Sequence, residues 1–324
     1  MNFKNTVRRK LNIENIMAIL PLVLLVGIFS VFAIIYPPFS SLRNIMGIVR
    51  ISMVLLLVAT GETFPILMGS IDLSVGAMLG CCAVVAAYFF PGGGFWMIFL
   101  AIAVGLISGF VNGLLIVLLK LPSFIITLAM MYVYIGIATG LTKGYNIPIR
   151  NRDFANISTG EIIPGIPNVV IWGSIVFLIF LFISYRTKVG RYILAIGSNE
   201  ESMKTMGVKV NKYRLIAFVF SGLLTGIASV LLASYLSMAP SRLGDRYLFN
   251  TLIAVIVGGT SIMGGSGGLI RTLIGVLLIC TFDNGMALIG AGSNVQNIAK
   301  GILLIVAISL VVLSNKRDKI LLTK

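Results

Sequence analysis

From residue 15 to residue 314 the chain is a succession of long apolar runs, near 15–36, 45–69, 71–90, 95–119, 123–142, 169–185, 213–236, 247–265, 266–289 and 295–314. A helix rising about 1.5 Å per residue crosses the bilayer core with about 20 apolar residues. Within the bilayer every backbone polar group must be bonded inside the protein, which leaves packed helices as the structure such runs can form. Charged residues make up 11% of the chain, against about 25% in a soluble domain, too few to cover a water-soluble globule of this length. The expectation is an all-α, polytopic membrane protein with about ten transmembrane helices over residues 15–314, between tails at 1–14 and 315–324.

Basic residues orient the bundle. They cluster at Lys4, Arg8, Arg9 and Lys10, at Arg186, Lys188, Arg191, Lys204, Lys209, Lys212 and Arg214, and at Lys316, Arg317, Lys319 and Lys324. Such clusters stay in the cytoplasm. With the N-terminus inside, six spans return the chain to the inside at residue 186 and ten leave the tail inside, so span count and charge agree. Residues 143–168 then form an external loop of mixed charge, stiffened by Pro148, Pro164 and Pro167. The run at 16–36 is long enough to span and is followed by no small-residue cleavage site, so it reads as the first helix and not as a signal peptide. Cys81, Cys82 and Cys280 fall in apolar runs, odd in number, which argues against a disulfide framework. Histidine is absent, and no Cys, His or Asp cluster has metal-ligand spacing. The net charge of +15 is explained by the cytoplasmic clusters and requires no nucleic acid.

Two interruptions stand out. Residues 69–76 read G-S-I-D-L-S-V-G and residues 258–268 read G-G-T-S-I-M-G-G-S-G-G. An acid at the bilayer centre costs about 2.5–3.5 kcal/mol even on mild scales, and broken helices are tolerated where they are buried in protein or line a cavity. Paired interruptions point to a solute path between two halves, although the halves do not match residue for residue. For the first, two readings stand: a half-helix junction at which Asp72 or Ser70 caps the next helix, or a tight cytoplasmic turn with Asp72 as a simple N-cap. Glu62 adds a second acid just upstream. The second is explained by close helix packing plus a turn, or by Thr260 and Ser261 offering hydroxyls to a polar solute.

The cytoplasmic loop 187–212 is long enough to hold a helix. Asn199 suits an N-cap, Glu200 and Glu201 a first turn, and Gly207 a C′ stop. A capped helix on that face has the form of a docking element. No G-x-x-x-x-G-K-[ST] phosphate loop is present, so any ATP-driven engine lies on another chain.

Four ordered stretches resemble the permease subunits of ribose-type sugar ABC importers. They are residues 69–76, where the family pattern is G-G-I-D-L-S-V-G; Asn112-Gly113 followed by Lys120-Leu121-Pro122-Ser123-Phe124-Ile125-Ile126-Thr127-Leu128; Gly190-Arg191 through Gly197-x-Asn199 to Gly207-Val208; and Gly258-Gly259-Thr260-Ser261 with Gly264-Gly265, then Asn284-Gly285. Ser70 replaces the usual second glycine, and Ser202 and Met203 stand where the family tends to have two alanines.

The resemblance implies a transport subunit of the bacterial inner membrane that performs no covalent chemistry. It implies a second permease copy or paralogue, an ATP-binding subunit carrying ATP and magnesium, and a soluble binding protein that delivers a monosaccharide. No cofactor or metal is expected on this chain. Candidate path or gate residues are Glu62, Ser70, Asp72, Ser74, Asn112, Thr260, Ser261 and Asn284; Gly197, Asn199, Glu200, Glu201 and Gly207 are candidates for coupling to the ATPase. The resemblance also makes Asp72 a cap that shapes the break rather than a charge gripping sugar. Two alternatives remain at this level. One keeps the architecture and carries a nucleoside, a sugar-like signalling molecule or a branched-chain amino acid. The other is an ion-coupled transporter using Glu62, Asp72 and Asp283.

Overall fold

In the computed structural model the backbone is described for residues 3–305 and 309, and side chains from Ile19 onward. The side chains of Lys4, Arg8, Arg9 and Lys10, and the basic tail with Lys316, Arg317, Lys319 and Lys324, lie outside the described residues. The helices are α1 (Phe3–Ile35), α2 (Leu42–Leu67), α3 (Val75–Phe89), α4 (Phe95–Leu119), α5 (Ser123–Thr142), α6 (Arg152–Thr159), α7 (Asn168–Arg186), α8 (Lys188–Ser198), α9 (Glu200–Thr205), α10 (Val210–Leu236), α11 (Asp245–Val257), α12 (Leu269–Leu288) and α13 (293–305). The described residues are all-α apart from a two-residue antiparallel pairing of Ile147 with Ala239 and Pro148 with Met238 and an isolated bridge between Ile163 and Ile166.

Among the described residues, six helices are long and apolar enough to cross a membrane: α2, α4, α5, α7, α10 and α12. Shorter apolar helical stretches run over Ile19–Ile35 and Val75–Phe89. The expected span 247–265 is instead a 13-residue helix, α11, followed by a non-helical segment up to Leu269.

The centre of the bundle is α2. Every residue from Ser52 to Leu67 is buried, as expected of a helix apolar on all sides and covered by neighbours. Beside it, α4 and α10 cross with their backbones in contact. A Cβ on Gly222 would overlap the Gly105 carbonyl oxygen and stand 2.7 Å from the Gly109 Cα and N. Only glycine permits this approach, which replaces side-chain interdigitation by backbone packing.

The 143–168 loop carries α6, a helix the sequence reading did not anticipate. Asn151 caps it by accepting from the Phe154 N–H at 3.0 Å and donates to the Gly92 carbonyl at 2.7 Å. Ser158 Oγ donates to the Leu231 carbonyl and Ser234 Oγ to the Phe154 carbonyl, at 2.7 and 2.6 Å, so the loop is fastened to the end of α10.

Candidate functional site

Both interruptions are breaks between helices, and both begin the same way. At the end of α2 the Gly69 N–H donates to the Ile66 carbonyl and the Ser70 N–H to the Pro65 carbonyl, with Gly69 at φ +71°. At the end of α11 the Gly259 N–H donates to Ile256 and the Thr260 N–H to Val255, with Gly259 at φ +98°. This is the Schellman arrangement, in which a left-handed glycine at C′ turns the chain back onto the last carbonyls. The breaks therefore correspond in geometry although their sequences differ.

After Gly69 the backbone from Ile71 to Ser74 runs non-helically through the protein interior, where each freed N–H needs an acceptor. Four side chains supply them in turn. Ser123 Oγ accepts from Ile71 at 3.0 Å, Glu62 Oε1 from Asp72 at 2.9 Å, Thr127 Oγ1 from Leu73 at 3.0 Å, and Asp72 Oδ1 from Ser74 at 2.9 Å. Three of these acceptors come from the break's neighbours, α2 and α5. The fourth is a turn made by Asp72 on its own backbone two residues on, a common aspartate habit. Ser70 makes no cap: its backbone closes the α2 terminus, and the turn belongs to Asp72.

Asp72 is also the centre of a fully buried side-chain network. Ser74 Oγ donates to its Oδ1 at 2.6 Å, and Asn112 Nδ2 and Ser221 Oγ approach Oδ2 at 3.5 and 3.4 Å. Asn112 also donates to Ser74 Oγ at 2.8 Å and accepts from the Tyr134 hydroxyl at 2.9 Å. The structure thus brings Glu62, Asp72, Ser74 and Asn112 together and adds Ser123, Thr127, Tyr134 and Ser221. Sequence reasoning missed these four as site residues. Ser123 and Thr127 sit four apart, on one face at the start of a helix, but only the fold places that helix beside the break.

The remaining candidates lie elsewhere. Thr260 Oγ1 accepts from the Gly268 N–H at 3.2 Å and so closes the start of α12, while Ser261 Oγ accepts from Met263 N–H at 3.2 Å. Both hydroxyls serve their own loop. Asn284, near the other end of α12, accepts from Asn44 Nδ2 at 3.0 Å and ties α12 to the start of α2.

A cavity of ≈ 330 Å³ opens between α3, α5 and α11, lined by Leu73, Ala77, Met131, Ile135 and Leu248 with Asp245 as its charged residue. It lies against the first break through Leu73, whereas Asp72 points away into the network.

In the 187–212 loop Asn199 is followed by α9. Its side chain accepts from the Ser202 N–H at 2.9 Å. The helix ends with Gly207 at φ +78°, its N–H on the Lys204 carbonyl and that of Val208 on Met203, again a Schellman end. Glu200 is held by Lys204 and Arg214, each at 2.7 Å. Partial burial pushes the Glu200 carboxyl up, but the Lys204 hydrogen bond and the Arg214 and Lys204 charges outweigh it and leave its pKa below the ordinary glutamate value. Glu201 stands beside it in the first turn. Gly197 lies in the last turn of a helix not foreseen from the sequence, α8, and faces the breaks.

Comparison with known proteins gives the chain a family. Residues 44–308 match the model described as "Branched-chain amino acid transport system / permease component". The chain is 37% identical to the ribose import permease protein RbsC of Haemophilus influenzae over 88% of its own length and 90% of that protein's. It is 35% identical to RbsC of Bacillus subtilis over 94% and 96%, and 34% identical to the D-allose transport system permease protein AlsC of Escherichia coli over 88% and 90%. No solved structure matches. With apolar spanning helices and relatives of this kind, the chain is a multi-pass protein of the bacterial inner membrane, and it belongs to the ABC importer permease family, as a permease of the ribose type.

Proposed function

We propose that this chain forms the membrane path for a monosaccharide in an ATP-binding cassette importer. In this reading a soluble binding protein delivers the sugar from outside. ATP and magnesium bind a separate ATPase, and a second permease copy, identical or paralogous, completes the path. The observation that carries the reading is the break at 68–74: a backbone segment freed from helix inside a membrane bundle, held by side-chain acceptors and bordering a cavity of ≈ 330 Å³. Ligand cavities run from about 300 Å³ upward, so the space suits a small solute. The ribose and allose permeases among its relatives support a sugar as that solute.

The proposed topology has ten spans with both termini in the cytoplasm. The six long helices are joined by α1, α3, α11 and α13, and residues 143–168 face outward. The α8–α9 segment then lies inside, where the capped α9, with Asn199, Glu200, Glu201 and Gly207, is the surface offered to the ATPase.

The test is purification through a tag in mild detergent, identification of co-purifying chains, and reconstitution with them in vesicles. Radiolabelled ribose should enter only with ATP inside and the binding protein outside, and an uncoupler should leave uptake unchanged at constant ATP. Gly207→Pro, which cannot adopt φ +78°, should abolish stimulation of the ATPase by the loaded binding protein. Uptake that collapses with the uncoupler would replace this reading by ion coupling.

A further inference from the structure

The cytoplasmic segment and the two breaks meet at one point. Gly265, in the second break, donates its N–H to the Leu67 carbonyl at the end of α2, at 3.0 Å. That carbonyl belongs to the last turn of a helix and has no partner within it. The Gly265 carbonyl in turn accepts from Ser198 Oγ at 3.1 Å, a hydroxyl shared with the Leu194 carbonyl at 3.2 Å. Ser198 is the last residue of α8. The hydrogen bonds therefore run in series from α8 to the second break and from there to the first.

The packing repeats this order. A Cβ on Gly197 would overlap the Leu67 carbonyl oxygen and stand 2.7 Å from the Gly265 N. On Gly265 it would stand 2.7 Å from the Ser198 Cα, and on Gly264 2.7 Å from the Gly69 N. Gly69, Gly264 and Gly265 all have positive φ. Three backbone segments touch without side chains between them, and this is the use to which the glycines are put. Contact of this kind leaves no compliant layer, since backbone positions cannot yield as side-chain ends do. On the far side of Ser198, α9 begins after Asn199 alone, and Glu200 ties it to Arg214 of α10.

We infer that the junction of Gly197 and Ser198 with Leu67 and Gly265 transmits movement of the α8–α9 segment to both broken helices at once. It rests on the proposed role of that segment at the ATPase. Gly197 and Ser198 are positioning residues: they act through the breaks and touch no solute. Displacing α8 moves Gly265, and Gly265 carries the end of α2 with it, so the two breaks shift as one body.

The experiment uses the complete importer in vesicles and measures sugar imported per ATP hydrolysed, with radiolabelled ribose or allose, whichever the wild type takes up. Ser198→Ala removes one bond of the series and should lower the ratio roughly fivefold, the effect of a single hydrogen bond. Ser198→Thr keeps the hydroxyl and should stay within roughly twofold of wild type. Gly197→Ala forces the backbones apart and should lower the ratio further. Gly136→Ala, on α5 with open space around it, should leave the ratio unchanged. Equal ratios for Ser198→Ala, Ser198→Thr and wild type overturn the inference, whether or not Gly197→Ala accumulates. A wild-type complex that neither imports sugar nor stimulates its ATPase overturns the underlying reading, and the inference with it.

Discussion

Replacing Asp72 by alanine and, separately, by asparagine distinguishes a carboxylate that builds the break from one that binds solute. Asp72 is fully buried. Alanine removes the acceptor of the Ser74 N–H at 2.9 Å and of the Ser74 hydroxyl at 2.6 Å, together with the longer approaches of Asn112 and Ser221 at 3.5 and 3.4 Å. The hydroxyls can turn to other partners, but the Ser74 N–H is left buried and unpaired. A lost bond costs about 0.5–1.5 kcal/mol and a stranded buried donor about 1–3 kcal/mol, so the sum for alanine is about 1.5–4.5 kcal/mol. Asparagine keeps an oxygen at the Oδ1 position and both short bonds. Its amide meets the Asn112 amide donor-to-donor, at a contact already long, for a cost of about 1 kcal/mol.

The three cysteines provide the assay, because all are free and buried. A thiol-reactive dye reports unfolding of the detergent-purified chain as they become exposed. At about 2–4 °C per kcal/mol, Asp72→Ala should melt roughly 5–15 °C below wild type and Asp72→Asn within about 4 °C of it. Uptake of whichever sugar the wild type imports, normalised to folded protein, should survive in Asp72→Asn to within about threefold. Wild-type melting combined with lost uptake in Asp72→Asn would mean that the charge meets the solute. An unshifted Asp72→Ala would refute the hydrogen-bond reasoning itself.

Two further outcomes follow from ion pairs. Lys300 on α13 lies 3.3 Å from Asp283 on α12, with side chains 6% and 24% exposed, and donates to Asn250 Oδ1 on α11 at 3.0 Å. Lys300→Met leaves Asp283 without its cation and should cost about 3 kcal/mol, the lower end of the range for a broken buried pair, whereas Lys300→Met with Asp283→Leu should recover most of it; equal loss of stability in the single and double variants, measured with the same dye, refutes the pairing. Glu200 has a folded pKa below its unfolded one, so its contribution to α9 is complete above the unfolded value and is lost as pH falls through the folded value. A spin label at Met206→Cys should keep constant mobility from pH 7 to about 5 and loosen below about pH 4, and Glu200→Gln should flatten that profile; identical profiles with and without the carboxylate refute it.

How much of this was legible in the sequence depends on the range of the interaction concerned. Helix ends set by a local residue were readable. Asn199 and Gly207 bracket α9 because capping is decided within one turn, and the glycines at 69 and 258–259 end their helices for the same reason. Interactions between distant segments were not readable. Ser123 and Thr127 are ordinary helix residues until the 68–74 break lies beside them, and Lys300 pairs with Asp283 through a contact no local pattern announces. The glycines of the second break show the difference most clearly. Read locally, they support equally a turn, close packing or a solute site. Five of the six have positive φ, and at Gly264 and Gly265 there is a further requirement that comes from Gly69 and Ser198, which belong to other parts of the chain. The same holds at Gly197, whose neighbours are Leu67 and Gly265. Both breaks and the 187–212 loop were visible as separate oddities, and what unites them is a backbone junction that exists only once the bundle is assembled. A substitution that spares each oddity's local pattern but adds a single Cβ at Gly197 therefore tests the assembly itself.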